Sequence, residues 1–197
     1  ETFIPADYSE SVKIAVIAQA LNVRQLLNDS DPAAAKRLLQ RALNPKQKSK
    51  SLSLEVAAWL LVILDKQPAC SADVKLLRNY IDGQIKETAS TASANEIGYD
   101  GLWDYCIFAS PRRTDATILE ALMVDQPKSE LIPKLVKGLL AHRKNGAWEG
   151  TQENSSVLQA LDRYFRTYEK QTPDIVAQTW LDNTLVANHK FVGRTTD

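Results

Sequence analysis

Hydrophobic positions along most of the chain fall into helical segments of two kinds. Residues 13–27 and 52–64 are apolar nearly all round, a pattern typical of helices enclosed by other helices. Residues 33–43 and 72–88 carry one apolar face opposite a charged one, which predicts amphipathic helices at the surface. Because the two kinds alternate, the pattern predicts consecutive helical pairs, each with an inner and an outer member.

The longest apolar run, from Val56 to Leu64, is unbroken and partly β-branched, so by itself it also fits a buried strand. Its length, its alanine pair at 57 and 58 and its helical neighbours favour an inner helix. The run is far too short to span a bilayer, so no membrane contact is predicted.

A third pair is predicted at 115–124 and 128–143, followed by a seventh helix at 153–168. The apparent caps of the fifth and seventh helices, Thr114 and Thr151, lie 37 positions apart (151 minus 114). Helical solenoids and toroids use units of roughly this length. The predicted fold class is therefore mostly α, built from α/α-toroid-type hairpins that form part of a toroid.

Two regions depart from this repeat. Residues 44–50 and 89–111 are predicted as loops, the second with a short strand at 102–108. After residue 171 the period changes to that of strands, and 175–193 predicts a β-hairpin. A lone hairpin is marginally stable in water, so we expect it to open a β-sandwich-type domain. The predicted domains are 1–170 and 171–197.

Charge, chain ends and cysteine count exclude several classes of function but do not identify one. The chain has 24 basic and 24 acidic residues, so it has no excess of positive charge with which to bind nucleic acid. Neither end resembles a natural terminus, and no signal peptide is recognisable, so we expect a fragment of a longer protein. The two cysteines, Cys70 and Cys106, are too few for a disulfide framework, and free thiols are the favoured interpretation.

The most informative segment is a turn that leads into the seventh helix. Gly146 permits the turn, Trp148 offers a large apolar anchor, and Thr151 can cap the helix. The favoured interpretation is structural: the segment locks one helical hairpin to the next. In the functional interpretation, Gln152 and Glu153 at the helix start face a partner. The candidate motif consists of Gly146, Trp148, Thr151, Gln152, Glu153 and Asn154.

A second candidate segment opens the fifth helix at Arg112. Thr114 is the predicted cap, and Asp115 lies near the positive end of the helix dipole. The two arginines, Arg112 and Arg113, could form an anion site, but capping combined with a salt bridge is the favoured interpretation.

No catalytic centre is evident in the sequence. His142 and His189 each lack a second metal ligand at a useful spacing, and neither a Gly-rich phosphate loop nor a nucleophile elbow is present. We therefore expect no enzyme activity, no metal and no cofactor from these residues.

Several stretches together resemble one family. Residues 148–161 are similar to the end of the thioester domain of bacterial-type α2-macroglobulins. Residues 112–122 resemble a stretch about one hairpin earlier in that domain, and 54–61 an inner helix further upstream. Residues 172–174 and the closing hairpin resemble the passage into the next β domain. The resemblance covers 51–197, and it rests on the order and spacing of these stretches.

The resemblance implies a very large, periplasmic or secreted protein that traps proteases after cleavage of a bait region. It implies an α/α-toroid thioester domain, with target proteases and neighbouring β domains of the same chain as partners. Many family members capture the protease through a Cys-x-Glu-Gln thioester. That motif is absent here, because Ser-Ala-Asp follows Cys70 and Ile-Phe-Ala follows Cys106. It lies upstream of Glu1, or this protein lacks it.

Two other interpretations stay open after this resemblance. Terpene cyclases and prenyltransferases are also α/α toroids and use a Gly-x-Trp turn before a capped helix. This chain has no aspartate-rich motif of their kind, and its four tryptophans are dispersed. A plain helical-repeat protein-binding scaffold is the other possibility, and we rank it between the inhibitor and the enzyme.

Overall fold

The computed structural model describes residues 4–5, 7–44, 52–95, 107–170 and 174–192. Within these ranges the chain is mostly α-helical and ends in a two-stranded hairpin, so the predicted fold class is confirmed. The helices are α1 (Glu10–Leu26), α2 (Pro32–Ala42), α3 (Leu54–Leu64), α4 (Ser71–Asp82), α5 (Pro111–Asp125), α6 (Leu131–Ala141) and α7 (Thr151–Tyr168). The strands are β1 (Ile85–Glu87), β2 (Ala92–Ala94), β3 (Asp174–Leu181) and β4 (Thr184–Val192).

The inner helices begin alike, because each starts after a serine that caps it. The side chains of Ser9, Ser53 and Ser110 accept hydrogen bonds from backbone N–H groups in the first turns of α1, α3 and α5. The second helix begins as predicted, with Asp31 as the cap and Pro32 at the first helical position.

The third helix is the centre of the helical core. It packs mainly against α1 and α5 and also contacts α2 and α4. Ten of its eleven residues are buried, with Val62 the exception, which confirms that the run Val56–Leu64 is an inner helix. The outer helices α2, α4 and α6 lie on α1, α3 and α5 respectively, so the predicted alternation of inner and outer helices is confirmed over these six helices.

The fourth helix is shorter than predicted. It ends at Asp82 with Gly83 as its C-cap, and Ile85 begins β1 instead of extending the helical stripe. Strand β1 pairs with β2 in an antiparallel hairpin, so the prediction that 91–95 is loop is wrong. The hairpin is placed by α6, where the absence of a side chain at Gly138 lets the Ala92 carbonyl approach.

The fifth helix starts earlier than predicted. Ser110 caps it, and the Thr114 hydroxyl lies within the first turn and donates to the Ser110 carbonyl oxygen, so the prediction that Thr114 is the cap is wrong. Of the predicted strand 102–108, residues 102–106 lie outside the described residues, and Ile107 and Phe108 form a turn. The predicted loop 44–50 lies outside them after Asn44.

The chain divides into two compact units, Glu1–Leu161 and Asp162–Asp197, and the division falls within α7. In the second unit β3 and β4 pair antiparallel around a two-residue turn at Asp182 and Asn183, which confirms the predicted hairpin. Every residue of both strands is exposed. These units differ from the predicted domains 1–170 and 171–197, which remain a prediction. No helix in the described ranges combines the length and apolar character that a bilayer crossing requires.

Candidate functional site

The segment that leads into α7 begins with a tight turn. The backbone groups of Lys144 and Ala147 exchange two hydrogen bonds, of 2.9 and 3.0 Å. Between them, Asn145 and Gly146 have φ angles of 50° and 85°. Two successive residues with positive φ make the two-residue hairpin turn that Asn-Gly favours. Gly146 therefore has the conformational role that the sequence predicts.

The turn places Trp148 in the core. Its indole is 7% exposed, and Nε1 donates a 2.9 Å hydrogen bond to the Leu139 carbonyl oxygen near the end of α6. The Arg143 guanidinium lies 6.0 Å from the indole centroid, at the outer limit of a cation–π contact. Trp148 thus fastens the turn to the preceding helix.

The side chain of Asn154 clamps the backbone of the same turn. Its Oδ1 accepts from the Trp148 N–H at 3.0 Å, and its Nδ2 donates to the Trp148 carbonyl oxygen at 2.8 Å. Nδ2 also lies 2.7 Å from the Gly150 carbonyl oxygen. One amide side chain therefore satisfies both backbone groups of the anchoring tryptophan.

Glu153 ties the start of α7 to the start of α5. Its side chain is 5% exposed. One carboxylate oxygen accepts from the Arg112 N–H at 3.2 Å, and the other accepts from the Glu149 N–H at 2.9 Å. The first bond satisfies a backbone donor that the start of α5 leaves without an intrahelical partner, and the second satisfies a donor of the turn before α7. The role is structural, and it links two successive hairpins.

Thr151 is the first residue of α7 and does not cap it. The Gly150 carbonyl oxygen accepts from the Asn154 N–H at 2.8 Å, so Gly150 occupies the cap position. The prediction that Thr151 is the cap is wrong, because the first hydrogen bond of the helix already starts from the Gly150 carbonyl oxygen, one residue earlier.

These elements line an open pocket of about 690 Å³, which we call the α5–α7 pocket. Its wall combines the residues before α5 with the first turn of α7. Both Gln152 and Glu153 line the pocket. The Gln152 side chain is exposed there, whereas the Glu153 side chain is buried in the pocket wall. Phe108 contributes an aromatic ring that is 64% exposed and a backbone φ of 51°. The lining residues are Phe108, Ala109, Ser110, Glu149, Gly150, Thr151, Gln152 and Glu153.

Arg113 lies behind the pocket, in a buried ion pair with Glu55 of α3. The guanidinium donates from Nε and Nη2 to the two carboxylate oxygens at 2.7 and 2.6 Å. Its Nη1 donates to the carbonyl oxygens of Ile107 and Phe108. Arg113 therefore holds the loop before α5 against α3 and is not available as part of an anion site.

Arg112 and Asp115 form a second ion pair. Arg112 Nη1 lies 2.8 Å from Asp115 Oδ2 and 3.2 Å from His142 Nδ1. Asp115 Oδ1 accepts from the Ala94 N–H of β2 at 2.7 Å. Burial raises the pKa of Asp115 to about 6, against the lowering effects of the Ala94 hydrogen bond and of Arg112. The two candidate segments predicted from sequence, 112–115 and 146–154, meet at the start of α5 through the bond between Glu153 and the Arg112 N–H.

A further charged cluster joins the C-terminal ends of α3 and α5. Arg78 of α4 donates from Nε and Nη2 to Asp125, at 2.8 and 2.5 Å, and Nη2 lies 3.3 Å from Asp65. Burial and a hydrogen bond with Asp125 raise the pKa of Asp65. Burial also tends to raise the pKa of Asp125, but hydrogen bonds, from Arg78 above all, leave it lowered. A proton taken up by this pair therefore resides on Asp65.

Sequence reasoning missed three residues of this region. Ser110 was detectable, because a serine directly before proline at the start of an apolar pattern is a helix-start signal. Glu55 was the single charge in an enclosed helix, which indicates a buried partner without identifying it. The role of His142 depends on the approach of α6 to α5 and has no local signal.

The described residues contain no group of three or more His, Cys, Asp or Glu side chains that could hold a metal ion. Cys70 is a buried free thiol, and Cys106 lies outside the described ranges. The polar side chains of this region bind backbone N–H groups at the start of α5 and in the turn before α7. The pocket beside them exposes aromatic, carboxylate and amide groups.

Two relatives are similar to this chain in sequence. Circularly permutated Ras protein 2 of Dictyostelium discoideum is 30% identical over 135 residues, which is 68% of this chain and 3% of that protein. An alpha-2-macroglobulin homolog of a Nostoc species is 28% identical over 130 residues, which is 66% of this chain and 6% of that protein. No protein-family model matches the chain. The chain thus spans a small fraction of either relative, and the Nostoc match gives weak support to the resemblance to α2-macroglobulins.

Proposed function

We propose that this chain is a later part of the thioester-type helical domain of a protease-trapping, α2-macroglobulin-like inhibitor. Within that protein it acts as scaffold and contact surface, not as catalyst. The proposal includes residence in the periplasm or outside the cell, and adjoining β domains as neighbours in the same chain.

The observation that carries the proposal is the similarity to the Nostoc alpha-2-macroglobulin homolog over two thirds of the chain. Alternating inner and outer helices agree with an α/α-toroid domain. The polar groups of the candidate motif hold backbone, as a scaffold requires: Asn154 clamps Trp148, and Glu153 links α7 to α5.

The α5–α7 pocket is the proposed contact surface. Glu149 and Gln152 are exposed there, beside the exposed ring of Phe108. An exposed aromatic flanked by polar groups is the composition that protein interfaces favour. The side chains of Glu153 and Asn154 already bind backbone groups. We therefore expect the exposed side chains around them to contact the partner protein.

The proposal is tested on the full-length protein that contains this chain. It is incubated with endoproteases of different specificity, and residual activity is measured on a large protein substrate and on a short peptide substrate. A trap encloses the protease, so we expect cleavage of the large substrate to be lost and cleavage of the peptide to persist. Equal loss of both activities, or of neither, would contradict the trapping proposal.

The contact surface is tested by a paired substitution, Phe108→Ala with Gln152→Ala. We expect less trapping with an unchanged circular dichroism spectrum. Leu158→Ala is the matched control, because Leu158 is 57% exposed on α7 and does not line the pocket. If trapping occurs and the control lowers it as much as the paired variant does, the pocket is not the contact surface.

A helical scaffold module is the second candidate, and the Dictyostelium match favours it. Segments of this chain match two proteins of different names, and each match forms a small part of the protein in which it occurs. Such a module would bind a partner through the same pocket without trapping any protease. The substrate-size experiment separates the two candidates.

A further inference from the structure

Asn145 is the only asparagine in the sequence that is followed by glycine. The pair lies in the tight turn before Trp148, and both residues are exposed. The two hydrogen bonds of the turn join backbone groups of Lys144 and Ala147, so the Gly146 N–H lies outside them. The Asn145 side chain and the Gly146 backbone are thus exposed at the same place.

An exposed asparagine followed by glycine can react with its own backbone. The Gly146 nitrogen, once it has lost its proton, attacks Cγ of Asn145. A succinimide ring forms as the Cγ–Nδ2 bond breaks and ammonia leaves. Water then opens the ring at one of its two carbonyl carbons. Opening at Cγ gives aspartate, whereas opening at the original backbone carbonyl gives isoaspartate, whose main chain runs through the side chain.

Two local features favour this reaction at Asn145. Glycine has no Cβ, so residue 146 does not hinder the approach of its own nitrogen to Cγ. The Arg143 guanidinium is also close, because its Nη2 lies 3.6 Å from the place that a Cβ atom on Gly146 would occupy. A nearby positive charge favours the anionic nitrogen and the negative charge that develops on the carbonyl oxygen during attack.

Two other asparagines of the described chain differ in these features. Asn183 lies in the exposed turn between β3 and β4, but a β-branched threonine follows it. The Asn154 side chain is held by the Trp148 backbone, with hydrogen bonds of 3.0 Å to Oδ1 and 2.8 Å from Nδ2. The chain therefore contains its own comparison for Asn145, an exposed turn asparagine that glycine does not follow.

Conversion of Asn145 changes the turn that seats Trp148. The turn keeps its hydrogen bonds, of 2.9 and 3.0 Å, while Asn145 and Gly146 both have positive φ. Isoaspartate adds a methylene group to the main chain between Lys144 and Ala147, so this geometry is lost. The buried Trp148 indole, which fastens the turn to α6, follows directly. A longer turn therefore loosens this attachment.

We propose that Asn145 is a site of spontaneous deamidation, where a succinimide forms with Gly146 and opens to aspartate and isoaspartate, and that the isoaspartate form loosens the seat of Trp148. The turn must open for the ring to form, because a succinimide holds the asparagine backbone outside the left-handed region. An exposed turn opens locally at a lower free energy than global unfolding requires, so the folded chain reaches the reactive form. The site does not depend on protease trapping.

The test is incubation of the folded 197-residue chain in mildly alkaline buffer, followed by peptide mapping with mass spectrometry. We expect the peptide containing Asn145 to gain the mass difference between an amide and an acid, with fragmentation assigning the change to Asn145 and not to Asn154. An isoaspartate-specific methyltransferase should label part of the product. The peptide containing Asn183 should keep its amide over the same period. Retention of the Asn145 amide for as long as the Asn183 amide would overturn the proposal.

Asn145→Gly is the matched control, because Gly-Gly also favours this turn and has no side-chain amide to lose. After incubation, chemical denaturation should show a second, less stable population in the wild type and a single unchanged transition in Asn145→Gly. The structural part of the proposal is overturned if the purified isoaspartate form unfolds at the same denaturant concentration as the unreacted protein. It is also overturned if Asn145→Gly loses as much stability on incubation as the wild type.

Discussion

At the scale of single residues, the site is held together by side chains that bind backbone. Asn154, Glu153 and Ser110 each satisfy N–H groups that a turn or a helix start would leave open. These three polar side chains therefore have structural partners, and their substitution should first lower the stability of the fold.

Asn154→Ala removes the clamp on Trp148. The Trp148 N–H and carbonyl oxygen lose their side-chain partner in a partly buried place, so we expect a loss of about 1–3 kcal/mol in the free energy of unfolding. Chemical denaturation followed by circular dichroism measures the effect. Ser155→Ala, at the exposed neighbouring position, should change stability by less than about 0.5 kcal/mol. Equal losses in the two variants would show that the clamp contributes nothing.

Asp115 predicts a pH dependence of stability. The folded state binds a proton on this carboxyl more tightly than the unfolded state, because its pKa is raised from 3.8 to about 6. The tighter proton binding of Asp115 therefore contributes about 3 kcal/mol to the free energy of unfolding below about pH 4. This contribution is lost as the pH rises through about 6. Unfolding curves of wild type and Asp115→Asn, compared across this range, should converge in acid and diverge toward neutral pH, with the variant the more stable.

Parallel curves for the two proteins would contradict this prediction. The physical reason is that a neutral carboxyl group costs less to bury than a carboxylate.

At the scale of elements, the contacts that matter most join segments distant in sequence. The Glu55–Arg113 pair connects α3 to α5 across 58 positions, and the Arg78–Asp125 pair connects α4 to α5 across 47. Pairs of this kind fix which helices are neighbours, and they lie at opposite ends of α5.

Glu55→Gln leaves the Arg113 guanidinium without its carboxylate charge in a buried site. We expect the free energy of unfolding to fall by about 3–5 kcal/mol. Replacing both Glu55 and Arg113 by methionine should lower it much less. Thermal unfolding of the two variants beside the wild type makes the comparison. A double variant as unstable as Glu55→Gln would show that packing, not the uncompensated charge, sets the cost.

Gly138→Ala tests the seat of the β1–β2 hairpin on α6. A Cβ atom at this position would lie 2.3 Å from the Ala92 carbonyl oxygen, so the strand must move. We expect destabilisation although alanine favours helix over glycine by about 1 kcal/mol. Lys137→Ala at the exposed neighbour should be close to neutral, as measured by chemical denaturation. Stabilisation by Gly138→Ala would mean that β2 does not depend on this close approach.

The sequence predicts where the helices lie, but it does not predict which side chains of different helices pair with one another. The enclosed run of α3 and the capped start of α2 have strong local patterns. Strands β1 and β2 have three residues each, too few to establish a period of two, and Ile85 continues the spacing of α4 by coincidence. The Glu55–Arg113 pair and the α5–α7 pocket arise from tertiary packing, which no local pattern records.

At the scale of the whole molecule, the two compact units differ in what stabilises them. Buried inner helices support the first unit, whereas β3 and β4 of the second expose every residue. A two-stranded hairpin of this kind is marginally stable without further strands.

A chain that ends at Lys170 should therefore keep the cooperative unfolding transition of the helices. We expect its midpoint, followed by circular dichroism at a helical wavelength, to change little on removal of the hairpin. The full chain carrying Trp180→Ala, at an exposed hairpin position, serves as a control that leaves the length unaltered. Loss of the helical transition in the shortened chain alone would show that the hairpin is needed for the helical fold.

The link that Glu153 makes has a mechanical consequence. Tension along the first part of α7 is borne by the buried face of that helix, by the turn at Trp148 and by the Glu153 carboxylate. Of the two bonds that the Glu153 carboxylate accepts, the one from the Arg112 N–H crosses to α5, whereas the one from the Glu149 N–H stays within the turn before α7. Glu153 is thus one junction between successive hairpins, and its bond to Arg112 adds to the force that they can withstand before they separate.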